Sequence, residues 1–262
     1  MVAPGALDGP WFAPWREDGH AVLLEMRQGA ALHDALNIAG RAPVHFVPAD
    51  ELPSGTPYER YVFETRRCPV REGTHDFFNG LAWRRFPHAK TQLNAVHAEQ
   101  IRLHGIPPVR GAIRDAATLF DENGAILSAP TALWEALAQR NWRALFVELR
   151  PLWREANFVI FGHALLEKLL APRKDLTAHV LSLPCPQGSL GKADEWLAGE
   201  LTPERLAAKP FLPLPVLGIP GWSALNEDFS FYDDARIFRP AGRQETGPAA
   251  PRTTQPSAPP RA

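Results

Sequence analysis

The sequence predicts an α+β fold: one helix-rich domain with a small sheet and a β-hairpin near residues 117–127. Three observations carry this. "THDFFNGLAWRRFPHAKTQLNAVHAEQI" (74–101) holds two apolar-patterned helical segments on either side of Pro87. Short runs rich in β-branched and aromatic residues, "PVHFVP" (43–48), "RYVFET" (60–65) and "TAHVLSL" (177–183), read as strands. "ATLFDENGAIL" (117–127) reads as strand, tight turn and strand, with Gly124 supplying a positive φ and Asp121 or Asn123 bonding the local backbone.

Along the chain, residues 21–38 read as helix with a break at Gly29. Thr74 is a good N-cap, and Asp76 in the first turn suits the positive end of a helix dipole. That helix stops near Phe86, because a proline follows, and Pro87 opens a second helix running to about His104. Residues 130–140 are helical, and 142–153 fit helix better than strand. "FVIF" (158–161) reads either as a strand or as the start of a helix that ends at Pro172. "LTPERLAA" offers Thr202 as N-cap and Pro203 as first helical residue. "KPFLPLPVLGIPGW" (209–222) is too apolar for a free linker and is expected to pack as an extended strap. Residues 1–240 are expected to form a single domain. The segment 241–262 carries five prolines and almost no large apolar side chain, so it is expected to be a disordered Pro/Ala-rich tail.

Bulk properties exclude several classes. A net charge of −1 over 262 residues gives no global basic field, so no nucleic acid is expected as partner. "FVIFGHALLEKLLA" is shorter than the roughly 20 apolar residues of a membrane span, so no membrane is expected either. Cys68 and Cys185 are far apart and match no zinc or redox spacing. They read as reduced thiols. The N-terminus lacks a secretion pattern, so the expectation is a soluble, cytoplasmic protein.

Candidate chemistry begins in the opening stretch. His75 and Asn79 share a helix face. Lys90, Asn94 and His97 fall at i, i+4 and i+7 on the next helix. Should the two helices pack after the Pro87 break, His75, Asn79, Asn94 and His97 meet in one cleft. The plainer reading is capping and core stitching. His75-Asp76 also resembles the His–Asp pair of metal-dependent phosphohydrolases, but the further ligands are not evident at set spacings. A second constellation pairs His163 with Glu167, four apart on a nearly apolar helix, as a base or metal ligand or as a structural hydrogen bond. Lys168, Arg173 and Lys174 add positive charge at that helix's end. A third sets Arg114 and Asp115 together as an ion pair near the cluster. The acidic turn 121–124 lacks the alternating ligands of a calcium loop. The aromatic segment 219–240 either lids a pocket or wraps the surface, anchored by Trp222, Phe231, Tyr232 and Phe238. No phosphate-binding glycine loop, nucleophile elbow or H-E-x-x-H motif is present.

"HDFFNGLAWRRFPHAKTQLN", "RGAIRDAATLFDENGAIL", "ALFVELRPLW", "FGHALLEKLLAPRKDLTAHVL" and "LPVLGIPGWSALNEDFSFYDDARIFRP" together resemble a bacterial family of unknown function, the one numbered 3025. The resemblance covers about residues 10 to 240. It implies a single bacterial domain, and it implies no activity, cofactor or binding residue. From the residues themselves, the sharper expectation is an enzyme acting on a small anionic ligand, with metal-assisted hydrolysis as its most direct form. His75, Asp76, Asn79, Asn94, His97, Arg114, Asp115, His163 and Glu167 would supply acid–base or metal-ligand groups. Lys90, Lys168 and Lys174 would neutralise the anion. The rival expectation is a non-catalytic binding or scaffold protein whose polar groups form a hydrogen-bonded core.

Overall fold

The computed structural model describes residues 2–3, 5–38, 42–107, 111–183 and 190–240. The expected tail, 241–262, and Cys185 lie outside them. Among the described residues, ten α-helices and six strands come in order: α1 (Arg16–Arg27), α2 (Leu32–Ile38), β1 (His45–Pro48), α3 (Tyr58–Thr65), β2 (Arg67–Val70), α4 (Thr74–Arg85), α5 (Pro87–His104), α6 (Ala112–Asn123), β3 (Gly124–Ser128), α7 (Thr131–Ala138), β4 (Asn157–Ile160), α8 (His163–Lys168), β5 (Thr177–Ser182), α9 (Leu190–Glu200), α10 (Pro203–Ala207) and β6 (Leu212–Pro215). Strands β1 and β2 form a parallel pair. The other four form a sheet in the order β4-β3-β5-β6, where only β3 and β5 run parallel. The helix-rich α+β class is therefore the observed one. No helix among the described residues is long and apolar enough to cross a membrane.

Helix α4 sits at the centre, buried from Asp76 through Arg84 on every side, and packs against α2, α5 and α8. Pro87 divides α4 from α5 as the sequence predicts: Phe86 leaves helical geometry at φ −126°, ψ 60°. The exposed N–H groups of the new helix start are met from a distant element. The carboxylate of Asp194, on α9, accepts from the backbone N–H of His88 and of Ala89, both at 2.9 Å. A column of aromatic rings crosses the core through this break: Trp15 to Phe86 at 5.7 Å, Phe86 to Phe161 at 5.2 Å, and Phe120 stacked on Phe161 and Phe211 at 5.1 Å each.

Three sequence expectations are corrected. The hairpin at 117–127 does not form, because residues 112–123 are helix α6. Ala116, Ala117 and Phe120 recur at helical spacing and are buried. Gly124 has φ −71° and opens β3, whose antiparallel partner is the distant β4. "RYVFET" belongs to helix α3, which buries only Val62 and ends at Arg66 in the left-handed region, φ 55°. Its β-branched and aromatic content misled, since strand propensity reports fit to a half-buried surface rather than backbone preference. Thr74 is the first residue of α4 rather than its cap. Thr202 caps α10 as expected. The proline strap supplies β6, and the segment 224–238 wraps Trp142 and Phe146 without covering the cavity between α3, α4, α5 and α6.

The joint between α6 and α8 sets how closely Asp121 and His163 approach. The Gly162 N–H donates to the Gly124 carbonyl at 2.8 Å. A Cβ on Gly162 would lie 2.5 Å from the backbone of Glu122 and Asn123, atoms that cannot swing aside. Gly162→Ala is therefore expected to cost about 1–3 kcal/mol, the range for overpacking a tight core, read as a lower denaturant midpoint at unchanged m-value. A neutral effect would contradict this packing.

Candidate active site

A cavity of about 570 Å³ opens between α3, α4, α5, α6 and the start of α8. Its apolar wall includes Leu52, Pro69, Trp83 and Leu93, and its polar wall includes His75, Asn79, Lys90, Asn94, His97, Asp121 and His163. Two helical stripes read from the sequence, on α4 and on α5, thus do converge. Trp83, one turn past Asn79 on α4, reaches the same space.

Lys90 organises the polar wall. Its side chain is 4% exposed, so its charge needs close partners. The ammonium donates to Asn79 Oδ1 at 2.9 Å and to Asp121 Oδ1 at 2.6 Å, and it stands 5.4 Å over the Trp83 ring. Burial alone would push the Asp121 carboxyl up. The charge of Lys90, its hydrogen bond and the nearby His163 and His97 together more than offset this, and the carboxyl is held below its usual range. Asn79 Nδ2 donates onward to Tyr58 Oη at 3.3 Å, and Tyr58 Oη lies 3.0 Å from Cys68 Sγ. Burial pushes the Cys68 thiol up to about 12, so it is no thiolate nucleophile.

The two histidines face each other. His163 Nδ1 is 2.8 Å from the Asp121 carbonyl oxygen, which can only accept, so Nδ1 carries hydrogen and Nε2 is bare. His75 Nδ1 is 3.1 Å from the Glu167 carboxylate, which also only accepts; Thr74 Oγ1 donates to the other oxygen of that carboxylate. The two Nε2 atoms are then left 3.2 Å apart, with the rings nearly perpendicular. One proton between them satisfies both nitrogens, while none leaves two lone pairs in contact. His163 is buried, but the His75 side chain is 43% exposed and also lines a shallow groove with Thr74 and Glu167. The imidazole pair therefore joins the groove to the cavity.

Other expected residues are placed differently. His163 and Glu167 do not pair directly, because His75 stands between them. Asp76 lines the cavity but is held by Arg71, through the backbone N–H at 2.7 Å and the guanidinium at 3.1 Å. Arg114 and Asp115 form no ion pair. Asp115 binds Lys209 at 2.6 Å on the surface, and Arg114 is buried outside the lining, with Nε and Nη1 unpartnered among the described residues. Lys168 donates to Asn123 at 3.2 Å, and Lys174 sits 4.2 Å over the Phe231 ring and 3.6 Å from Asp234; neither lines the cavity. Among the described residues, no three His, Cys, Asp or Glu side chains are grouped to hold a metal ion. The sequence reading missed Asp121, assigned there to a turn, together with Tyr58, Glu59, Arg71, Trp83 and Glu122. The signal that finds Asp121 is its place four residues after buried Ala117, on the same face of an amphipathic helix.

Burial pulls His163 down to about 4 from an ordinary 6.5, with the Lys90 charge acting the same way and Asp121 opposing. The unfolded chain thus binds a proton that the folded one refuses between these two values. Stability is therefore expected to fall as pH drops from 6.5 to 4, by up to about 3 kcal/mol from this group. This group adds no further loss below pH 4. Denaturant unfolding across that window should show a smaller loss in His163→Asn, and an unchanged loss would contradict the assignment.

No curated protein and no solved structure matches the chain. A family model described as "Protein of unknown function (DUF3025)" matches residues 44–242, a span that begins after α2 and contains every residue lining the cavity. That match covers more than half of the 262 residues, and the chain belongs to the DUF3025 family.

Proposed function

We propose that the cavity is the active site of an acid–base enzyme acting on a small molecule, with His75 and His163 exchanging the proton. The observation that carries this reading is the 3.2 Å contact between their Nε2 atoms, each ring being oriented through its other nitrogen. Glu167 stands where it offsets the positive charge of a protonated pair. The groove beside it gives that proton a route to solvent.

Hydrolysis of an ester or amide fits the lining best. Among the described residues no serine or cysteine lines the cavity, and the one aliphatic hydroxyl there is that of Thr118; water is the nucleophile in this reading. The imidazole pair takes a proton from water as the oxygen attacks the acyl carbon. The C–O or C–N bond then breaks, and the departing alcohol or amine receives a proton from the pair, which returns to its starting state. A metal-assisted version would use the same imidazoles, whose engaged Nδ1 atoms are typical of metal ligands. It lacks a third protein ligand among the described residues. The rival, a binding protein with a hydrogen-bonded core, is favoured by the saturation of Lys90, Asn79 and Asp121.

The test is turnover of chromogenic esters and anilides with acyl groups of differing charge. His75→Gln and His163→Gln are each expected to lower kcat/KM by about 10²–10⁴, the usual worth of a positioned acid or base, with folding retained by circular dichroism. Turnover that survives both substitutions contradicts the proposal.

A further inference from the structure

We infer that the ligand of this cavity is a small organic cation bearing N–H donors, an ammonium or guanidinium, rather than an anion. This names the substrate class of the proposed active site and rests on that reading only for what is done to the substrate. The balance of donors and acceptors in the lining points to it. The cationic and amide donors are already engaged. Lys90 gives to Asn79 and Asp121, Arg71 to Asp76, Asn79 Nδ2 to Tyr58, and Asn94 Nδ2 to the Glu59 carbonyl at 2.7 Å.

What is left over is rich in acceptors. The Glu59 and Glu122 carboxylates form no ion pair among the described residues, although both line the cavity. Asn94 and His97 are each only 6% exposed, and Asn94 Oδ1 and His97 Nδ1 have no partner among the described residues. Asn94 Oδ1 can only accept, so a ligand that supplies donors fills its need, while His97 Nδ1 donates or accepts according to its tautomer. Charge points the same way. The lining sets four carboxylates (Glu59, Asp76, Asp121 and Glu122) against two cations (Arg71 and Lys90), a formal −2 with all histidines neutral and −1 with one proton shared by His75 and His163. An anion entering here would meet two uncompensated carboxylates and no free ammonium. Leu52, Leu93 and Trp83 give the alkyl part of such a cation an apolar surface.

Calorimetric titration of the purified full chain compares four probes of similar size: butylammonium, butylguanidinium, 1-butanol and butyrate. The two cations are expected to bind at least tenfold more tightly than the alcohol, with butyrate weakest. The double variant Glu59→Gln/Glu122→Gln should weaken the cations at least tenfold at unchanged Tm. Preference for butyrate, equal or absent binding of all four, or cation binding indifferent to the double variant would overturn the inference. Its failure is separable from that of the catalytic reading. Glu-dependent cation binding without any turnover removes catalysis and leaves the cation site. Histidine-dependent turnover with no preference for cationic acyl groups does the reverse.

Discussion

The buried ammonium of Lys90 is the constraint on which the site depends. It ties three helices together: α5, which carries it; α4, through Asn79; and α6, through Asp121. A charge at that depth is tolerated only when its partners are close and fixed. The residue it fixes, Asp121, turns its backbone carbonyl to His163 and thereby sets which imidazole nitrogen carries hydrogen. Packing is thus converted into a protonation pattern. Gly162 completes the link, because its missing side chain lets the start of α8 lie against the end of α6.

The imidazole pair draws its chemistry from unlike surroundings. His163 lies in the buried wall, where charge is disfavoured. His75 meets solvent and a carboxylate. In the proposed acid–base reading, a proton passes between two groups so placed without either ring having to move, and the cavity receives or releases it at one end while the groove does so at the other.

Several single-residue signals in the sequence were dependable, although Gly124 and Thr74 were not among them. Pro87 split α4 from α5, Gly29 separated α1 from α2, and Thr202 capped α10. The convergence of His75, Asn79, Asn94 and His97 came from helical spacing across the Pro87 break. Long-range choices were not legible. The pairing of β3 with β4 and β5 is set by packing, and "DENG" imitates a turn although it closes a helix. That one error hid Asp121, and with it the partner of Lys90. The same limit explains the expected His163–Glu167 pair: spacing of four residues brings side chains near, but only the fold shows His75 inserted between them. The charge of the ligand is hard to read from the sequence for a related reason. Counting lysines and arginines near the site says nothing of which are already neutralised, and Lys90 is.

One tautomer stands at the centre of the site: His163 holds hydrogen on Nδ1 and leaves Nε2 bare toward His75. Nitrogen-15 NMR of the two imidazoles in the intact chain reads it directly. The expected result is a neutral His163 at pH 7 with a protonated Nδ1, and an Nε2 whose signal responds when His75 is replaced by Gln. A His163 protonated at Nε2 alone, or one insensitive to the loss of His75, would contradict it.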